Sequence, residues 1–175
     1  MPFPYHRYGL TFRLVEESDA PFILGLRTDP KLGRHLSFTN NDLDQQALWI
    51  KNYKEREAQG AEYYILFEEE KLGRAGVVRL YNINGDFFTS GSWLIRPGCD
   101  ELIALKSDLF VLQFAFEELK MQQCFIDTRK DNKKVINYHK RFFTKINEDE
   151  ENLYFVMGID GYQRKSQFLK SILEL

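Results

Sequence analysis

The feature that most limits the folds open to this chain is a broad apolar helix lying between two segments of strand-forming sequence. Within Ala104 to Lys120, Leu105, Leu109, Leu112, Phe116 and Leu119 recur at steps of three and four, and Val111, Phe114 and Ala115 widen the stripe. A helix apolar over so much of its circumference belongs in the interior rather than half in water. Phe87 to Ile95 (FFTSGSWLI) precedes it and Cys124 to Arg129 (CFIDTR) follows it, both rich in aromatic and β-branched residues. Parallel neighbouring strands need a helical crossover, and 104 to 120 is a natural one.

The remaining segments extend that unit. Asn132 to Phe143 reads as a second crossover helix, Asn152 to Ile159 (NLYFVMGI) as a last strand, and Gly161 onward as a terminal helix docking through Phe168, Leu169, Ile172 and Leu173. Upstream, Leu10 to Val15 alternates as a half-buried strand. Ser18 and Asp19 offer N-cap oxygens to a helix that ends near Thr28, where Asp29-Pro30 stops it. A second helix spans about Asp42 to Gln59 and stops at Gly60. Glu62 to Glu68 and Gly76 to Tyr81 are strands, and Asn84-Gly85 joins the latter to Phe87 to Ile95 by a hairpin. The order βααβββαβαβ predicts a three-layer α/β/α domain around a mixed sheet.

Composition sets outer bounds. The 175 residues suit one domain spanning 1–175, and 43% hydrophobic content with 15 Phe and 9 Tyr supplies a large core. A formal charge of −2 argues against a protein that coats nucleic acid. Seven basic residues against one acid between Arg129 and Lys145 leave room for a local polyanion site, or for a solvated helix face. Cys99 and Cys124 form no CxxC, His6, His35 and His139 are scattered, and no metal site is expected. With no long apolar run, a soluble cytoplasmic protein with reduced thiols and no membrane partner is expected.

Three stretches carry a family likeness: LTFRLVEESDAPFILGLRTDP, then SWLIRPG with the helix ending FAFEELKM, and TRKDNKKVINYHKRFFTKINEDE. Over about residues 10 to 160 the chain resembles the GNAT N-acetyltransferase superfamily, in the branch with ribosomal-protein and amino-sugar N-acetyltransferases. The resemblance implies a mixed, mostly antiparallel sheet of about seven strands with flanking helices, and acetyl-CoA as cosubstrate. It also implies that the strand holding Trp93 to Arg96 splays from its parallel neighbour and offers free backbone groups to pantetheine and thioester. Cofactor contacts then fall to Leu94, Ile95, Arg96, Gly98, Ile103, Ala104, Asn132 and Lys134. The family's Gln/Arg-x-x-Gly-x-Gly/Ala turn is degraded here: RPGCDELIAL keeps Gly98 and puts Asp100 and Glu101 where a pyrophosphate arrives. Arg129, Lys130, Lys133 and Lys134 could meet CoA phosphates instead.

By the same resemblance His139, seven residues after Asn132, stands where the family's Tyr protonates the departing thiolate. Its bland alternative is an ordinary helix histidine. Tyr138 points about 100° away around the helix. Asp127 is the candidate base, with two alternatives: an acid paired with Arg129 on the same strand face, or deprotonation relayed by water. Asn132 reads as a helix cap, a CoA contact, or both. Trp93 and Tyr81 shape the acceptor pocket or are core. The expected acceptor is a small-molecule amine, an amino sugar in preference, on a monomer or homodimer. A protein N-terminal amine, a non-catalytic interaction module and nucleic-acid binding stand as alternatives.

Overall fold

The computed structural model describes residues 3–175. One eight-stranded sheet runs in the order β1-β2-β3-β4-β5-β6-β8-β7. Its strands are β1 (Tyr5–Arg7), β2 (Leu10–Leu14), β3 (Tyr63–Glu69), β4 (Gly73–Asn84), β5 (Phe87–Ile95), β6 (Gln123–Arg129), β7 (Thr144–Glu148) and β8 (Asn152–Gly158). The helices α1 (Ala20–Thr28) and α2 (Leu43–Ala58) cover one face. Helices α3 (Glu101–Gln113) and α5 (Ile159–Ile172) pack together on the other, and α4 (Lys133–His139) follows β6. Every neighbouring pair is antiparallel except β5 with β6, the pair bridged by α3. Among the described residues no helix is long and apolar enough to cross a membrane.

The three-layer mixed sheet agrees with expectation, and its strand count exceeds seven by one. Two strands lie outside the segments read from sequence. Residues 5 to 7 pair with 10 to 12 because Tyr8 and Gly9 both take positive φ, 58° and 73°, which suits a two-residue hairpin. Thr144–Glu148 adds to β8 as an edge, with all five side chains in solvent and hence no apolar alternation to betray it. The long helix begins three residues earlier than Ala104. After Gln113 it widens into a π-helical turn at Phe114–Glu118, and α4 ends at His139, short of Phe143.

Alternation along the strands builds two cores. Phe12, Ile65, Phe67, Val78, Leu80 and Phe88 face α3, where Phe12 stacks on Phe110 with ring centroids 3.8 Å apart. Val15, Tyr64, Leu66, Val77 and Leu94 face Ile23 and Leu26 of α1 and Ile50 and Tyr53 of α2. The buried Asp19 does not cap α1 with its side chain. It accepts both terminal nitrogens of Arg13 at 2.7 and 2.8 Å, and Arg74 Nε at 2.9 Å, joining β2, β4 and the start of α1. Burial raises its pKa, but the bonds from Arg13 and the Glu16 amide outweigh that and leave it lowered.

Gly76 lets β4 lie close to β5. A Cβ there would sit 2.4 Å from the Leu94 carbonyl oxygen and 2.5 Å from the Phe67 ring, so backbone must move. Gly76→Ala is expected to cost about 1–3 kcal/mol, typical of overpacking, read from urea denaturation midpoints. An unchanged midpoint would show that β5 yields without penalty.

Candidate active site

β5 and β6 hold their parallel register for only three pairs, Phe87 with Gln123, Phe88 with Cys124 and Thr89 with Phe125. Beyond them β5 runs on to Ile95 and β6 to Arg129 with no ladder between them. The reason lies on the other side of β5. Arg79 pairs with Gly91 and Val77 with Leu94, so Ser92 and Trp93 together oppose Val78, and Ser92 takes a φ of 48°. Such a bulge bends and overtwists its strand. Trp93 Nε1 then donates to Ser107 Oγ at 3.2 Å, which ties the bent strand to α3.

The gap opens a cleft of about 640 Å³. Of the residues singled out from sequence, the cleft brings together Trp93, Leu94, Asp127, Asn132, Lys134 and His139. It leaves out Ile95, Arg96, Gly98, Ile103, Ala104 and Tyr81. Ile95 pairs with Gly76, and Arg96 donates its amide to Ala75 O and its side chain to Leu72 O. Ile103 is buried in the core, and the Ala104 carbonyl accepts from Ser107. Gly98 takes a φ of 84° with open space around it. At the helix start beside it, Asp100 accepts the Leu102 amide at 2.8 Å and so caps α3 itself.

Asn132 caps α4 by accepting from the Val135 amide at 3.4 Å while lining the cleft, so it holds the position of cap and wall together. Asp127 is exposed on the cleft wall. Arg129 pairs with Glu151 rather than with Asp127, and Asp127 has no ion-pair partner among the described residues. Tyr81, on the opposite strand face from Val78, is near enough to be influenced. Burial first, then the Asp127 carboxylate, pushes its phenol up to about 12.

His139 lies buried at the end of α4, and its Nδ1 has no hydrogen-bond partner among the described residues. Burial, reinforced by the Lys165 ammonium, lowers its pKa to about 3. Near neutrality the ring then carries no extra proton, although it keeps one neutral N–H. Lys165 of α5 is only 1% exposed and donates to both carboxylate oxygens of Asp108, at 3.0 and 2.7 Å. The Tyr138 hydroxyl donates to the same carboxylate, and burial raises its pKa. Neither this cluster nor the 31 to 36 segment at the cleft mouth was singled out from sequence. His35 Nδ1 reaches Asp131 at 3.1 Å and ties that segment to the start of α4. Ninety-six residues separate the pair, and no local pattern announces it.

A second pocket of about 330 Å³ opens on the α1 and α2 side, with Arg27, Gln46, Trp49, Tyr64 and Arg79 in its walls. Ser92 lines both spaces, so they meet at the bulge.

Residues 9–142 match the family model of the acetyltransferase (GNAT) domain. Among solved structures, the chain is similar to the apo form of FdhC, described as a nucleotide-linked sugar GNAT. The identity is 33% over 99% of each chain, with a TM-score of 0.86. It also shares its fold with the spermidine N-acetyltransferase of Vibrio cholerae in complex with CoA and spermine, at 18% identity over 89% of this chain and 98% of that one, with a TM-score of 0.72. No curated protein matches it.

The buried neutral His139 makes stability depend on pH. Its pKa falls from about 6.5 unfolded to about 3 folded, so between these values the unfolded chain binds more protons. Its contribution is complete above pH 6.5 and is lost as pH falls toward 3, by up to about 1.4 kcal/mol per unit. His139→Asn should flatten the decline of the urea midpoint between pH 6.5 and 4.5; an unaltered slope would mean that the ring titrates normally.

Proposed function

The chain belongs to the GNAT acetyltransferase family, and we propose that it uses acetyl-CoA to acetylate the amino group of a small acceptor, an amino sugar in preference. The observation carrying this reading is the interrupted β5–β6 ladder, where the cleft and the second pocket meet at Ser92. Unpaired strand backbone needs hydrogen-bond partners, and Trp93 and Leu94 offer it along the cleft. Asn132, Lys133 and Lys134 at its rim suit the phosphate groups, replacing a helix start that Asp100 has already capped. The unpartnered Nδ1 of His139 also fits a cleft built to receive a polar ligand.

The cosubstrate supplies an activated acyl thioester, and the chain's residues arrange its transfer. Asp127, unpaired on the cleft wall, takes the proton of the attacking amine. His139 acts as a neutral hydrogen-bonding group on the sulfur side, not as a charged acid. The amide and hydroxyl groups of Thr39, Asn40, Gln45 and Gln46 around the second pocket suit a sugar. So does the likeness to FdhC, which its name links to nucleotide-linked sugars. A polyamine acceptor, as named for the Vibrio cholerae enzyme, would meet the guanidiniums of Arg27 and Arg79 there. A cytoplasmic location accords with two unpaired cysteines, Cys99 and Cys124.

Acetyl-CoA at 100 times its dissociation constant should stabilise the protein by about 2.7 kcal/mol, seen as a thermal shift. No shift at millimolar acetyl-CoA refutes the reading. Asp127→Asn should lower turnover roughly 10²-fold or more while acetyl-CoA affinity holds. Wild-type turnover under chemistry-limited conditions would remove Asp127 from the mechanism.

A further inference from the structure

The pocket on the α1 and α2 side carries two guanidiniums, those of Arg27 and Arg79, against one carboxylate, Asp42, whose Oδ1 already accepts the Gln45 amide at 3.0 Å. Arg27, near the end of α1, gives Nε to Thr39 Oγ1 at 2.8 Å and a terminal nitrogen to Ser37 Oγ at 3.3 Å. It has no ion-pair partner among the described residues, and a guanidinium has five donors and no acceptor. Its other terminal nitrogen is left to the pocket.

Arg79 of β4 is held more firmly. Its Nε donates to Glu62, a carboxylate 3% exposed whose other oxygen takes Arg56 Nε at 2.7 Å. The rings of Trp49 and Tyr81 lie 4.8 and 4.6 Å from its guanidinium carbon. Glu62 therefore consumes Nε, the rings restrict the plane, and the terminal nitrogens stay available in the pocket wall.

Tyr64 completes the set. It is 2% exposed, edge-on to Trp49 and Tyr53, and its hydroxyl has no hydrogen-bond partner among the described residues. Burial pushes its pKa up to about 12, against the pull of Arg27 and Arg79, so the phenol keeps its proton. Both arginines can only donate to that oxygen. The hydroxyl proton is left without an acceptor at a pocket whose walls carry two guanidiniums and a single carboxylate, Asp42, already engaged in capping α2.

We propose that Arg27, Tyr64 and the terminal nitrogens of Arg79 form a subsite for an anionic group, a phosphate or carboxylate, carried by the acceptor within about one sugar ring of the amine. This rests on the acetyl-transfer reading of the adjoining cleft, since Ser92 lines both spaces. An anion supplies the missing acceptor to three donors fixed in advance, whereas an ammonium group would face two cations.

Calorimetric titration of the whole protein, with CoA saturating the cleft, tests the subsite with three probes: D-glucosamine, D-glucosamine 1-phosphate and 2-amino-2-deoxy-D-glucuronic acid. At least one acidic probe should bind roughly tenfold or more tighter than the neutral sugar, and whichever does identifies phosphate or carboxylate. Tyr64→Phe deletes only an unpartnered hydroxyl. It should keep or raise the melting temperature, leave acetyl-CoA affinity unchanged and erase most of the preference; Arg27→Gln should erase it as well. Equal affinity for all three probes overturns the subsite, as does a preference that survives both substitutions. Failure of both acidic probes to bind, with acetyl-CoA still bound, overturns it too and leaves the acetyl-transfer reading standing. Loss of acetyl-CoA binding by the parent protein would bring down both.

Discussion

Everything at the candidate site depends on a parallel ladder that stops after three residue pairs. A parallel pair is the costlier kind to connect, since its strands require the whole crossover of α3 and the π turn between them. Here that connection is spent on a junction that gives up its own hydrogen bonds at Ser90. The bulge at Ser92 and Trp93 bends β5 away, and the Trp93 bond to Ser107 keeps it bent. Two strand edges are thus turned toward each other across a gap wide enough for a chain-like ligand. Backbone groups in such a gap need partners from water or ligand, which makes the gap a binding feature by construction.

Much of this order was legible in the sequence, and the misses have physical causes. Alternation located β2, aromatic and β-branched runs between turns located β3, β4 and β5, an apolar stripe located α3, and start and stop residues bounded α1 and α2. β7 escaped because its five side chains all face solvent, and β1 because three residues are too few for any period. The cleft residues Trp93, Leu94, Asp127, Asn132, Lys134 and His139 were reachable through the family resemblance carried by SWLIRPG and TRKDNKKVINYHK. Burial was not. His139 is neutral because burial desolvates its ring, with the Lys165 ammonium of α5 adding to the effect, and nothing near position 139 in the chain encodes either. The pairing of Arg129 with Glu151 rather than Asp127 is likewise non-local, since the turn leading into β8 delivers the acid from 22 residues away.

Two buried carboxylates tie the α1 and α2 layer to the sheet, each between two arginines: Asp19 with Arg13 and Arg74, and Glu62 with Arg56 and Arg79. Buried ion pairs contribute little net stability after desolvation, but losing one partner strands a charge. Their value here is geometric. Asp19 fixes where α1 leaves β2, and Glu62 fixes the orientation of a guanidinium in a pocket wall. The α2 layer is in this way registered to the sheet by directional bonds, on top of the non-directional packing of Ile50 and Tyr53.

The solvent-facing β7 has a consequence for the sheet as an object that could grow. A sheet edge is a template for another strand, and this one offers its open side with Thr144, Lys145, Ile146, Asn147 and Glu148 all in water. A strand arriving there would bring its own side chains against a lysine and a glutamate already bridged to each other, with one apolar neighbour, Ile146, to reward the contact. Propagation is discouraged at this end of the molecule by charge on an edge whose side chains all face water.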